Sequence, residues 1–363
     1  MEFHQSMPSS LTTVGLIFGG QSGEHEVSLM SVQSVMAALD PARYRAVLIG
    51  IDKQGRWMFD DPLERLLDGE SAPPDAPRWP GPEQLAGVDI LFPVLHGPNG
   101  EDGVIQGFFE LAGIPYVGNG VLASAAAMDK ALAKKLFQAH GLPQTPWQIV
   151  TRAQLESAPS YVIARLEGAL DYPMFTKPAN LGSSVGIRKA SHKEELLAGL
   201  QEAAAYDIII VVEQAVPHAR EIEVAVLGNE HPQASIPGEI VPSNEFYDYE
   251  AKYLSGASEE RIPAPIAPQL AAKAQEMAVR AFKAIHGSGL ARVDFLLNDA
   301  TGELFLNEIN TMPGFTNISM FPKLMEASGV PYPELIHRLI QLGFQRYRQR
   351  RSLRTTFSPK PPS

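Results

Sequence analysis

The sequence predicts an α/β protein that opens with a doubly wound parallel sheet and continues into two further α/β units. Short β-branched apolar runs alternate with a helical stretch through residues 13–95, the pattern of parallel strands joined by crossovers. Glycine-rich segments follow the first and third of these runs, where strand ends turn sharply. The chain has 363 residues, more than one hydrophobic core usually serves, so two or three domains are expected.

The elements follow in order. TVGLIF (13–18) reads as a buried strand, and GGQSGEHE as the turn after it. SLMSVQSVMAAL (28–39) is helical, with Ser28 as the expected N-cap. RAVLIGI (45–51) and VDILFPVL (88–95) are the next strands, the latter after a proline-rich surface stretch at 71–82. Helical sequence covers 120–140 and ends at Gly141, the expected residue beyond the C-cap. WQIV (147–150), PMFTKP (173–178) and DIIIVVEQ (207–214) read as strands around a helix at 192–204. EIEVAVLG (221–228), strands near 234–241, a helix at 266–286, ARVDFLLN (291–298) and ELFLNEIN (303–310) make the third unit. The stretch 243–264 is aperiodic and holds Phe246, Tyr247, Tyr249 and Tyr253; a segment of this length inside a domain reads as a functional lid. From Gln345 onward six residues are basic and none is acidic, which reads as a solvated helix end.

Composition narrows the function classes. Net charge is −11, which argues against a nucleic-acid scaffold. Hydrophobic residues at 45% and charged residues at 20% exclude a mostly disordered chain. No apolar run approaches the roughly 18 residues of a membrane span. The start, MEFHQSMPSSLTT, lacks the basic stretch and apolar core of a secretory signal. With no cysteine there is no disulfide framework and no thiolate chemistry. The expectation is a soluble, cytoplasmic protein with neither nucleic-acid nor membrane partners.

Asp294, Glu308 and Asn310 form the strongest chemical signal. The turn cluster NDATGE separates their two strands, so these read as an antiparallel hairpin. A register that sets Asp294 opposite Glu308 puts Asn310, two residues on, on the same face. A few oxygen ligands suit Mg²⁺, which completes its shell with water and phosphate oxygens. LGSSVG (181–186) is a small-residue loop whose backbone N–H groups can cradle phosphate. It has no Walker lysine, but Lys177 lies just before it, and Lys130 is a second phosphate partner. Glu24 sits at a helix start after the first strand, placed either to grip a cation or to serve the helix dipole. His96 follows the third strand, at the carboxyl end where open α/β sheets bind ligands.

Taken together, FGGQSGEHEVS, LHGPNGEDG, MDK, KPANLGSSVG, EFYDYEAKY, RVDF and NEINTMPGFT occur in order over about residues 14–323. In these motifs the chain resembles the D-alanine–D-alanine ligases of the ATP-grasp superfamily. The resemblance implies an N-terminal α/β domain (1–124), a central ATP-grasp domain (125–215), a C-terminal ATP-grasp domain (216–350) and a basic tail (351–363). ATP would lie between the latter two. Lys130 and Lys177 would bind its phosphates, and loop 182–186, with Gly182 and Ser184, would close over them. Glu213 would meet the adenine edge and Glu221 the ribose, with Phe246 and Lys252 completing the nucleotide site. Asp294, Glu308 and Asn310 would hold two Mg²⁺ or Mn²⁺ ions. Glu24 would bind the ammonium of the first D-alanine, with His96 beside it. Ser183 and Tyr253 would join Glu24 in a hydrogen-bonded trio. Arg292 and the Gly314 N–H would stabilise an oxyanion, and Ser319 would take the carboxylate of the second D-alanine. Family members are commonly homodimers.

Three other readings compete. A ligase making D-alanyl-D-lactate would share fold and metals but lack the lid tyrosine, present here as Tyr253. A catalytically dead ATP-binding regulator would not need the intact acid trio and both lysines. A nicotinamide dehydrogenase fits GGQSGE poorly and leaves Asp294 and Glu308 unexplained.

Overall fold

The computed structural model describes residues 11–182, 185–241, 259–316 and 318–356. The N-terminal part runs β1 (Thr12–Gly19), α1 (His25–Ala38), β2 (Tyr44–Ile51), β3 (Trp57–Met58), α2 (Pro62–Leu67), β4 (Ile90–Val94) and α3 (Val104–Ala112). Its sheet has the order β3-β2-β1-β4, with β2, β1 and β4 parallel and β3 antiparallel at the edge. β1 is buried along nearly its whole length, as an interior strand covered on both faces must be. One face packs Leu16 and Phe18 against Leu29, Val32 and Val35 of α1. The other packs Ile17, Ile49 and Leu91 against Ile105 and Phe109.

Two helices follow, α4 (Val121–Met128) and α5 (Lys130–Ala139), with Gly141 at φ +64° beyond the α5 C-cap, as expected. The second sheet draws on β5 (Trp147–Thr151), α6 (Arg152–Ser157), α7 (Pro159–Glu167), β6 (Met174–Pro178), β7 (Arg188–Ala190), α8 (Lys193–Tyr206) and β8 (Ile209–Gln214). Its order is β5-β8-β6-β7, antiparallel throughout. The third sheet is built from β9 (Ala219–Gly228), β10 (Gln233–Ala234), β11 (Gly238–Val241), β12 (Glu259–Arg261), β13 (Gly289–Asn298) and β14 (Glu303–Asn310), with α9 (Pro268–Ala284) packed on it. Its order is β12-β11-β9-β13-β14, with β10 beside β9. The helices α10 (Met320–Ala327) and α11 (Tyr332–Arg351) close the chain.

Three sequence expectations need correction. α1 begins at His25 rather than after Ser28. Ser28 is buried in the helix, where its hydroxyl accepts from Gly19 N–H at 2.8 Å and donates to the Val94 carbonyl. A serine at a helix start is ambiguous by sequence, and here its partners are the ends of β1 and β4. The stretch read as aperiodic from 243 to 264 contains β12, which pairs with β11. The basic run is not simply a solvated end. The Arg346 guanidinium stacks 3.9 Å from the Tyr116 ring centroid and Arg350 pairs with Glu110 at 2.7 Å.

α11 positions the site. Its Leu335, Ile336, Leu339 and Ile340 share one core with Ile90 and Phe92 of the first sheet and with Ala225, Leu227 and Leu290 of the third. The two sheets are thereby locked together, and the strand ends of the first face the β13–β14 hairpin of the third.

Candidate active site

The turn after β1 needs glycine. Gly19 and Gly20 have φ of +88° and +97°, and a Cβ on Gly19 would lie 2.2 Å from the Ile51 carbonyl oxygen. The turn delivers Glu24 to the start of α1, where its buried carboxylate lies over two loops. A Cβ on Gly97 would meet Glu24 Oε2 at 2.7 Å, and one on Gly182 would meet it at 3.2 Å. Glu24 therefore sits where the β1 turn, the loop after β4 and the small-residue loop converge.

His96 leaves the end of β4 and is buried. Its Nδ1 lies 3.1 Å from the Met312 carbonyl oxygen, which can only accept, so Nδ1 carries the proton. Nε2 then accepts from Ser31 Oγ at 3.1 Å. Burial holds this imidazole below its usual pKa, against the pull of Glu24, and it is neutral. Glu101, four residues into the same loop from Gly97, accepts the Gly97 N–H at 2.8 Å. Burial, with Glu24 adding to it, pushes the Glu101 carboxyl well above the ordinary carboxylate range.

The β13–β14 ladder sets Asp294 opposite Glu308 and Arg292 opposite Asn310, with a bulge just after Asp294. The spacing argument from sequence gave this register. On the other side of β13, Asp294 pairs with Glu223 of β9. Arg292 grips both oxygens of Asp294 at 2.7 Å each and reaches Glu223 at 3.2 Å. Burial alone would lower the Arg292 pKa, but Asp294 and Glu223 outweigh it and hold the guanidinium charged. Among the described residues no three His, Cys, Asp or Glu side chains cluster as a self-sufficient metal site. The hairpin supplies two carboxylates and the Asn310 amide, an all-oxygen set. Such a set fits a hard divalent cation that takes its other ligands from phosphate and water.

The lysines lie on the adjoining side. Lys130, first residue of α5, donates to the Leu181 carbonyl at 2.6 Å and stands 3.9 Å from Glu308. Lys177 of β6 donates to Glu213 at 2.9 Å and to Asn307 at 3.3 Å. The other Glu213 oxygen is 3.0 Å from Lys134. Burial would raise the Glu213 pKa, but the two ammonium groups outweigh it and pull the carboxyl down to about 2. In the structure the Glu213 carboxylate is the shared counter-ion of two lysines. Glu221 lies on β9, between Ile240 of β11 and Leu296 of β13.

Gly314 and Ser319 complete the far wall. Ser319 is the residue at the start of α10, and its hydroxyl, rather than capping the helix, shares a 2.7 Å hydrogen bond with Thr316. Glu24, His96, Glu101, Lys130, Gly182, Glu223, Arg292, Glu308, Asn310, Gly314, Thr316 and Ser319 all line one cavity of about 730 Å³. Lys177, Glu213, Glu221 and Asp294 lie outside that lining. Ser183, Ser184, Phe246, Lys252 and Tyr253 lie outside the described residues.

The profile of the D-Ala D-Ala ligase N-terminus matches residues 13–119, and that of its C-terminus residues 136–341. The chain belongs to the D-alanine–D-alanine ligase family. A D-alanine–D-alanine ligase of Heliobacterium modesticaldum is 52% identical, over 96% of this chain and 99% of that one. One from Ruminiclostridium cellulolyticum is 50% identical, over 93% and 96%. Among solved structures, the D-alanine–D-alanine ligase of Coxiella burnetii superimposes with a TM-score of 0.81 at 35% identity, covering 94% of this chain and 96% of that one. The VanG D-Ala:D-Ser ligase of Enterococcus faecalis gives 0.79 at 34% identity, covering 92% and 100%. The ATP-grasp fold expected from the motifs is the fold of this family.

Sequence reasoning missed four polar residues of this ligase fold. Lys134 follows Lys130 by one helical turn, a spacing that puts both on one face. Glu223 follows Glu221 by two in a strand, so it shares that residue's face. Glu101 lies inside the HGPNGEDG motif, which marks a loop but not which of its acids lines the cavity. Nothing in the local sequence marks Asn307 as a partner of Lys177.

Proposed function

We propose that the protein joins two D-alanine molecules into D-alanyl-D-alanine at the expense of ATP, through an acyl phosphate. The observation that supports this most is the single cavity in which Glu24, Arg292, Glu308, Gly314 and Ser319 face one another. It offers a carboxylate at one end for an ammonium, and a hydroxyl at a helix start at the other for a carboxylate.

Glu24 takes the ammonium of the first D-alanine, and neutral His96 lies beside it without adding a competing charge. That orients the first carboxylate toward Lys130, Lys177 and the hairpin. Its oxygen attacks the γ-phosphorus, the bond to ADP breaks, and an acyl phosphate and ADP result. Such transfer depends on positioning and on neutralising charge. Asp294, Glu308 and Asn310 would hold two divalent cations, Mg²⁺ or Mn²⁺, which when bound offset phosphate charge. The second D-alanine docks its carboxylate at Ser319. Its deprotonated amine attacks the acyl carbon, and the amide forms as inorganic phosphate leaves. Arg292 and the Gly314 N–H face the carbonyl oxygen as it becomes an oxyanion, and one such donor is worth roughly 3–4 kcal/mol. By the motifs shared with the family, Ser183 and Tyr253 would join Glu24, and Gly182 and Ser184, with Phe246 and Lys252, would complete the ATP site. A cytoplasmic homodimer is the assembly we expect.

The depsipeptide alternative is disfavoured by Tyr253 and by relatives of about 50% identity that are named dipeptide ligases. The test is phosphate release from ATP with D-alanine, L-alanine, D-lactate plus D-alanine, or D-serine plus D-alanine. Release with D-alanine alone, yielding dipeptide, is expected. Release only in a mixed pair would replace this reading with that of a mixed ligase.

A further inference from the structure

Lys134 is among the largest fully buried side chains in the molecule, with a relative exposure of 2%. Burying an ammonium is expensive unless it is matched, and its match here is already shared. Glu213 faces Lys134 with Oε1 at 3.0 Å and Lys177 with Oε2 at 2.9 Å, and all three side chains are at most 12% exposed. Two cations thus share one carboxylate as their nearest partner, with Glu308 acting on both from farther off and Glu221 on Lys177. The Lys134 ammonium, moreover, is skewed from hydrogen-bond alignment with its partner. A pair of Lys177 and Glu213 alone would be balanced, and an apolar residue at 134 would pack there more cheaply. If Lys177 turns away to an anion, Lys134 and Glu213 remain as a matched buried pair.

We infer that Lys134 is a positioning residue for the nucleotide: it keeps the Glu213 carboxylate matched when Lys177 leaves it for the phosphates. This rests on the reading of Lys177 as a phosphate ligand. The geometry supports the division of labour. β6 and β8 pair so that Phe175 faces Glu213 and Lys177 faces Val211, which puts Lys177 and Glu213 on one face of the sheet as diagonal neighbours. Lys177 also reaches Asn307, the residue before Glu308 on β14, so its Nζ already lies at the edge of the hairpin. Lys134 comes from α5 and meets the other oxygen of the carboxylate. In the free protein Glu213 is held by both lysines; with nucleotide present it is held by Lys134 alone. Without Lys134, moving Lys177 would strand a buried carboxylate, so Lys177 would stay where it is.

The experiment uses the full chain and adenylyl imidodiphosphate with Mg²⁺, with binding read by calorimetry and folding by circular dichroism. Lys134→Met should weaken nucleotide binding about tenfold or more, the scale of leaving one buried charge unmatched. The KM for ATP should rise correspondingly while that for D-alanine changes by less than about twofold, because only the lysine side of the site is altered. Adding Glu213→Gln removes the charge that needs matching, so the double variant should bind within about threefold of Glu213→Gln alone. Should Lys134→Met fail to fold, Lys134→Gln replaces it, and Lys134→Arg, which keeps the charge, should bind within about threefold of the parent. Lys177→Met is the control on the underlying reading and should bind poorly. Parent-like binding by Lys134→Met alongside a weak Lys177→Met overturns the inference alone. A Lys134→Met defect that Glu213→Gln fails to relieve also overturns it. Parent-like binding by Lys177→Met removes the phosphate reading, and the inference with it.

Discussion

Gly314→Ala is a substitution whose outcome follows from one distance. Gly314 does not need positive φ, so alanine suits its backbone, and the N–H that would face the oxyanion is kept. An added Cβ would lie 2.7 Å from Ser319 Oγ, inside van der Waals contact. The nearest atom is the tip of a side chain, so the clash is relieved by turning the Ser319 hydroxyl off Thr316 rather than by moving backbone. Stability should therefore change little, with Tm within about 3 °C of the parent. Function should change more. If Ser319 binds the second D-alanine carboxylate, displacing it removes a hydrogen bond to a charged group, worth about 1.5–3 kcal/mol. That corresponds to an increase of about 10- to 100-fold in KM for the second D-alanine, at 1.4 kcal/mol per tenfold. The assay is phosphate release across D-alanine concentration, fitted with separate constants for the two subsites. The weaker constant should rise while the tighter one and the KM for ATP stay fixed. A folded Gly314→Ala protein with unaltered D-alanine dependence would refute the placement of the second substrate at Ser319.

Glu308→Gln preserves shape and removes one charge from the oxygen set facing Asp294; we expect loss of most turnover with an unchanged melting curve, measured at ordinary Mg²⁺. Arg292→Met leaves Asp294 and Glu223, with side chains 14% and 7% exposed, without their shared cation. Denaturant titration should show a loss of about 3–5 kcal/mol. The two lysines hold the Glu213 carboxyl down at about 2, against an ordinary value of 4.5. Its contribution, up to about 3 kcal/mol, is complete above pH 4.5 and is lost as pH falls toward 2. The stability gap between parent and Glu213→Gln should accordingly narrow on acidification through that window, and a gap that stays constant would contradict the ion-pair assignment.

The hairpin register was legible in the sequence because two facts fix it. The turn cluster NDATGE sets the loop, and period-two alternation sets the faces, so Asp294 had to meet Glu308. The β1 turn and Glu24 were legible because glycine pairs at strand ends have few uses. The start of α1 was not, since Ser28 satisfies local capping preference while its real partners, Gly19 and Val94, lie on two different strands. Lys134, Glu223 and Asn307 escaped for a related reason: their significance depends on which element packs against them. The stacking of Arg346 on Tyr116 likewise joins residues 230 positions apart. Local pattern records the faces of elements, whereas partners across a fold must be seen.

The proposed chemistry requires this cavity to make an acyl phosphate from the first D-alanine. It is tested most directly with D-alanine labelled by ¹⁸O in both carboxylate oxygens, ATP and Mg²⁺, with the released phosphate analysed by mass spectrometry. If the carboxylate attacks the γ-phosphorus, one labelled oxygen leaves with phosphate for each dipeptide formed and the other stays in the amide carbonyl. Unlabelled phosphate accompanying dipeptide would contradict the account.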